Sequence, residues 1–138
     1  MRTFGFIFEN LCVRDLRVYA QMLNGDVMHY RDKNNLECDA VIHLRNGKYG
    51  LVEVKLGGKT AIDQGAANLK KLSSLIDDEK MNMPSFLMVL TGLSSFAYRR
   101  EDGVCRSGRL SDLLAVLSGK ISMKFVLFGI PLYLYKIW

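Results

Sequence analysis

Cysteine is scarce in this chain of 138 residues, and the three present, Cys12, Cys38 and Cys105, are odd in number, widely spaced and free of any Cys-x-x-Cys pair. That argues against a disulfide framework and a zinc knuckle and suits a reducing, cytoplasmic setting. Histidine is scarcer still. His29 and His43 lack the His-x-x-x-His spacing or cysteine support of a zinc site, so both are expected at surface or partly buried strand positions. The start shows no basic n-region followed by an apolar stretch and a small-residue cleavage site, so no secretory leader is expected. The apolar run Phe125–Tyr135 has 11 residues, against the roughly 20 needed to cross a bilayer, and Gly129 and Pro131 interrupt it. No membrane span is expected. A phosphate-binding loop is missing too: "GGKT" at Gly57–Thr60 would need a glycine at position 53, where Glu53 stands. The chain carries no ATPase motif.

What is present suffices for one ordinary core, with hydrophobic residues at 49% and charged residues at 24%. A formal net charge of +5 is compatible with a phosphate-bearing partner such as nucleic acid. Ile7, Leu11, Val18 and Leu23 recur near helical spacing across residues 5–24, and Asn24-Gly25 supplies a stop, which predicts an opening amphipathic helix. Asp26–Arg31 and Leu36–Leu44 read as strands separated by the turn-prone "DKNN", and "RNGK" leads into a third, Tyr49–Leu56. Ile62, Ala66, Leu69, Ser73 and Ile76 recur at steps of three and four and predict a second helix. After Pro84, "SFLMVLTG" reads as a buried strand reached by a helical crossover, free to lie parallel to its neighbour. The order αβββαβ predicts an α/β sandwich with a mixed sheet flanked by helices. Its predicted core comprises Ile7, Leu11, Val41, Leu51, Val52, Val54, Leu69, Ile76, Leu87 and Val89.

Asp39, Glu53 and Lys55 stand in runs that otherwise read as the inside of a sheet. A two-residue turn at Asn46-Gly47 would set Asp39 opposite Val54 and split the group between two faces. A three-residue loop, Arg45-Asn46-Gly47, with Gly47 in the left-handed conformation, would instead set Asp39 opposite Glu53, on the face that carries Lys55. In that register two carboxylates repel unless a cation sits between them, and oxygen-only ligands suit magnesium or manganese. Such a place could activate water against a phosphodiester. The plainer alternative is an exposed Glu-x-Lys salt bridge beside a turn aspartate. Against it, "YGLVEVKL" is apolar on both sides of its charges, and sheltered charges need partners.

The stretches "FENLCVRDLR", "YRDKNNLECDAVIHLRNGKYGLVEVKLGG", "ANLKKL" and "FLMVLTG…AYRREDGV" resemble the domain-of-unknown-function family four-one-four-three, the C-terminal part of a group of prokaryotic AAA-type ATPases. The resemblance runs from about Phe4 to Val104. It implies membership of the PD-(D/E)xK nuclease-like superfamily and a restriction-endonuclease-like fold. The motif then falls on Asp39, Glu53 and Lys55: Asp39 and Glu53 as metal ligands for Mg2+ or Mn2+, Lys55 as the group that orients water. Glu9 matches the acidic residue that the superfamily often carries on its first helix. Cys38 stands where the motif has proline. Gln64 occupies the second helix, where some superfamily nucleases carry a glutamine, although a solvated residue is the plainer expectation there. Lys59, Lys70, Lys71, Arg99 and Arg100 could form a rim that tracks phosphates, or a solvated face.

The chain thus divides into residues 1–104, the nuclease-like domain, and residues 105–138, an atypical tail without counterpart in that resemblance. Within the tail Asp112–Leu117 could form a short helix and Phe125–Tyr135 an edge strand, and an out-of-frame gene end would also produce such a break. Two functions stay open: a metal-dependent nuclease-like, DNA-associated domain, or a non-catalytic interaction domain of an AAA-type ATPase system whose ATPase lies outside these residues.

Overall fold

The computed structural model of the chain describes residues 2–91, 98–99, 101, 104–107, 126–127 and 130–131. Helix α1 (Arg2–Met22) leads into strands β1 (Gly25–Arg31), β2 (Glu37–Leu44) and β3 (Tyr49–Lys55). Helix α2 (Lys59–Ser74) then crosses to β4 (Phe86–Thr91), followed by the short strands β5 (Tyr98–Arg99) and β6 (Cys105–Ser107). These strands form one mixed sheet in the order β1-β2-β3-β4-β6-β5. β1, β2 and β3 run antiparallel, whereas β4 lies parallel to β3, as expected of a strand reached through a helix, and β6 lies parallel to β4. The α/β class and the order αβββαβ hold, with β5 and β6 added at the far edge.

Two apolar clusters sandwich the sheet. Cys12, Leu16 and Ala20 of α1 pack on Ala40, Ile42, Val52, Val54, Phe86, Met88 and Leu90. Ile62, Ala66, Leu69 and Leu72 of α2 pack on Cys38, Tyr49, Leu51, Val89 and Val104 on the other side. β3 is covered from both sides, which explains why Tyr49 through Val54 are buried without alternation.

One sequence expectation is corrected here. Ile7 and Leu11, predicted for the core, are 48% and 43% exposed, and Val18 is 54% exposed. The buried stripe of α1 is Cys12, Leu16 and Ala20, with Phe8 and Leu23 partly covered. The helix carries apolar residues on two faces, and the face with smaller side chains meets the sheet because Cys12 and Ala20 let the backbones approach. Leu51, Val52, Val54, Leu69 and Val89 are buried as expected, while Val41, Ile76 and Leu87 pack at the margin of the second cluster.

The turns follow their residues. Asn24 takes the left-handed conformation (φ 55°) after α1, and Gly25 is needed beside it: a Cβ there would come within 2.8 Å of the His43 carbonyl. Asp32 Oδ1 accepts from the N–H groups of Asn34 and Leu36 and closes the β1–β2 connection. At Gly50 a Cβ would run into the ring of Phe86. Gly50→Ala is therefore expected to lower stability by about 1–3 kcal/mol through overpacking, and Phe86→Leu in the same chain should recover part of it in urea melts.

In the tail, β7 (Val126–Leu127) and β8 (Ile130–Pro131) pair antiparallel in a separate two-stranded sheet. Of the edge strand expected across Phe125–Tyr135, the described residues pair with each other and not with the main sheet; the rest of that span lies outside the described residues. Asp112–Leu117 lies outside the described residues. Among the described residues no helix is long and apolar enough to cross a membrane.

Candidate active site

The β2–β3 connection decides whether the three charges can meet. Leu44 N–H donates to the Lys48 carbonyl at 2.8 Å and Gly47 N–H to the Leu44 carbonyl at 3.0 Å, with Gly47 at φ 83°. This is the three-residue loop, with glycine in the left-handed position. The ladder runs His43 opposite Tyr49 to Ala40 opposite Val52, and one step further Asp39 comes level with Glu53.

A bulge then modifies the face on which Asp39 stands. Met28 pairs with Val41 and Tyr30 with Cys38, so His29 alone faces both Asp39 and Ala40. Alternation along β2 breaks there: Cys38 and Val41 lie on the α2 side, Ala40 on the α1 side. Bulges re-aim side chains, and the Asp39 carboxylate is turned toward β3, where Oδ2 accepts the Val54 N–H at 2.7 Å. Next to Asp39, the Cys38 thiol lies 3.3 Å from the Ala40 carbonyl and 3.4 Å from that of Val52. Burial pushes this thiol up to about 12, with Glu53 adding to the rise. It stays protonated and structural.

Glu53 is the centre of the arrangement. Among the described residues the buried polar or charged side chains are Glu53, at 3% exposure, and Thr91. Its Oε2 lies 3.4 Å from Lys55 Nζ, and its Oε1 accepts from Asn68 Nδ2 at 2.8 Å. Burial pushes the Glu53 carboxyl up to about 7, and Asp39 pushes the same way, while Lys55 and the Asn68 hydrogen bond pull it down. Asp39 is raised by burial as well, against the Val54 hydrogen bond and Lys55, which lower it. Glu9, on α1, is raised by burial and then by Asp39 and Glu37. Its coupling to Asp39 brings the helix carboxylate to the same end of the sheet.

Asp39, Glu53, Lys55 and Glu9 therefore form one electrostatic group. Of the other candidates, His29 touches this group electrostatically, with a smaller influence that lowers Asp39 and Glu9. Gln64 is exposed on α2, as are Lys59, Lys70 and Lys71. The side chain of Arg99 and all of Arg100 lie outside the described residues. His29 is exposed, 4.0 Å from Glu37 Oε2, and His43 is partly buried. Asn68 was missed by sequence reasoning. Its signal was an asparagine inside a helix, where the residue type is intrinsically unfavourable, one turn after Gln64.

The donors suit a hard divalent cation. They are carboxylate oxygens, and Glu53 has its proton affinity raised by both burial and Asp39, a strain that a cation relieves. Among the described residues no three His, Cys, Asp or Glu side chains gather as a metal-holding group.

The chain belongs to the family described as Domain of unknown function (DUF4143), which matches it over residues 4–106. No curated protein matches it, and no solved structure does.

Proposed function

We propose that this DUF4143 domain is a metal-dependent nuclease-like domain of the PD-(D/E)xK type, with a restriction-endonuclease-like core, acting on DNA. The observation that carries the reading is the burial of Glu53 between Asp39 and Lys55. A carboxylate at 3% exposure with a second carboxylate beside it is unfavourable as mere scaffolding. Strongly perturbed groups of this kind gather where chemistry is done.

In this reading Asp39 and Glu53 hold Mg2+ or Mn2+. When bound, the cation supplies charge neutralisation to a phosphodiester and a more acidic water. Lys55 Nζ, partly exposed on the solvent side of Glu53, donates to the attacking water and to a phosphate oxygen. Glu9 acts from beside Asp39 through water. Lys59, Lys70 and Lys71 on the exposed side of α2 would follow the phosphate backbone without reading its sequence.

Calorimetric titration of the purified protein with manganese tests the reading. Wild type should bind with saturable heat, and Asp39→Ala should weaken binding by at least tenfold. Equal binding by both proteins would remove Asp39 from the site.

A second reading rests on a different observation. Phe4, Ile7, Leu11, Val18 and Met22 leave an exposed apolar stripe along α1, which is the kind of face that docks on another protein. It favours a non-catalytic interaction domain of an AAA-type ATPase system. Absence of metal binding in the titration would select it.

A further inference from the structure

We propose that α2 is the template that seats both members of the Glu-x-Lys pair, with Asn68 holding the carboxylate of Glu53 and Gly65 receiving the stem of Lys55. The inference rests on the nuclease-like reading of that pair and adds two positioning residues to it.

Asn68 uses its amide as a clamp. Nδ2 donates to Glu53 Oε1 at 2.8 Å and to the Glu37 backbone carbonyl at 2.9 Å. A primary amide has two N–H donors on one nitrogen. Here one is spent on β3 and the other on the first residue of β2, two positions before Asp39. The Glu53 carboxylate is thereby fixed against both strands that carry metal ligands. Its other oxygen, Oε2, is left facing Lys55 Nζ at 3.4 Å. Neither serine, with one donor, nor aspartate, with none at neutral pH, could make both bonds.

Gly65 does the corresponding work for the lysine. A Cβ at this position would lie 3.3 Å from Lys55 Cγ, 3.5 Å from Lys55 Cε and 3.3 Å from Val89 Cγ2. The methylene stem of Lys55 therefore runs over bare helix backbone, and the ammonium emerges beside Glu53 with its stem confined. Glycine is otherwise a poor choice inside a helix. Gly65 and Asn68 are three residues apart, so they share one helix face. The strand motif and the helix motif form a matched set: Glu53 with Asn68, Lys55 with Gly65.

The two contacts predict different failures. Asn68→Ala should weaken manganese affinity by roughly 10–100-fold, the usual consequence of losing a group that orients a ligand. Asn68→Asp should do no better at pH 8, because it replaces the donors by a third carboxylate. Gly65→Val should leave manganese affinity within twofold of wild type, since Lys55 is no ligand, while kcat for DNA cleavage falls at least tenfold. Gly65→Ala, a milder crowding by one methyl, keeps the test open if the valine variant does not fold. A metal-independent readout accompanies these. In a thermal double-mutant cycle of Asn68→Ala with Glu53→Ala, which removes the acceptor, the shifts in Tm should be non-additive.

If folded Asn68→Ala binds manganese like wild type, or Gly65→Val and Gly65→Ala both cleave at the wild-type rate, the template is overturned. If wild type itself binds no manganese, the nuclease-like reading fails, and the thermal cycle alone decides the clamp. Additive shifts would then overturn it, whereas non-additive shifts would retain it as a clamp on Glu53 without catalytic consequence.

Discussion

Lys55→Met is expected to abolish divalent-metal-dependent DNA cleavage, with kcat falling by roughly 10²–10³-fold, the scale seen when one preorganised donor to a developing charge is removed. Methionine keeps an apolar stem over Gly65 and loses the ammonium that faces Glu53 at 3.4 Å. The fold should survive, because the lysine side chain is 34% exposed at the rim of the site. Manganese affinity should survive as well, since the ammonium repels a cation more than it assists one. Glu53→Ala should lose both affinity and turnover, which separates the ligand from the group that orients water. Assays on single-stranded, duplex and branched DNA with magnesium and with manganese check this. Equal residual cleavage in both variants would identify a contaminating nuclease, and no cleavage by wild type on any substrate would favour the interaction-domain reading.

The part of this site that could be read from the sequence is the part that depends on counting along the chain. Period-two alternation and the Asn-Gly dipeptide left two registers for the β2–β3 hairpin, and the loop observed is the three-residue one that brings Asp39 level with Glu53. The bulge could not be counted. It arises between β1 and β2, where His29 faces two residues, and nothing in "ECDAV" marks an extra residue, because the mismatch belongs to a pairing and not to a strand. Its effect is to turn Asp39 toward the Val54 N–H, away from the plain same-face geometry that alternation suggests. Asn68 was hidden for a related reason. Its role depends on the packing of α2 across β3, which sets its amide on Glu53 and not on solvent.

The inner face of α1 shows the opposite failure, in which a pattern was visible and misleading. Phe4, Ile7, Leu11, Val18 and Met22 form the more hydrophobic stripe, yet Cys12, Leu16 and Ala20 are the residues buried on the sheet. Hydrophobicity ranks faces by transfer free energy alone, and a helix lying on a twisted sheet also needs small residues at the contact. A helix with two apolar faces cannot be oriented by its moment, and the surplus face remains exposed.

Metal-free protein should be more stable at pH 5 than at pH 8, the reverse of what acid denaturation leads one to expect. The unfolded chain ionises Glu53 near 4.5, whereas burial and Asp39 raise the folded carboxyl to about 7. Between those values the native state holds a proton that the unfolded state has lost, so stability falls as pH rises through the window. The stabilising contribution is complete below about 4.5 and lost above about 7. From the difference between those two values, at about 1.4 kcal/mol per unit, the swing is about 3 kcal/mol. Asp39 and Glu9, also raised by burial, act in the same direction. Glu53→Gln should flatten most of the slope in urea melts taken across this range, since the amide can still accept from Asn68. A divalent cation should offset most of that loss. Binding to the ionised carboxylates, free magnesium at about a hundred times its dissociation constant adds about 2.7 kcal/mol to the folded state at pH 8, and little at pH 5, where protons compete for Glu53. A wild-type stability that is flat in pH, or a magnesium effect equal at both pH values and retained in Glu53→Gln, would show that the buried carboxylate is neither strained nor a ligand.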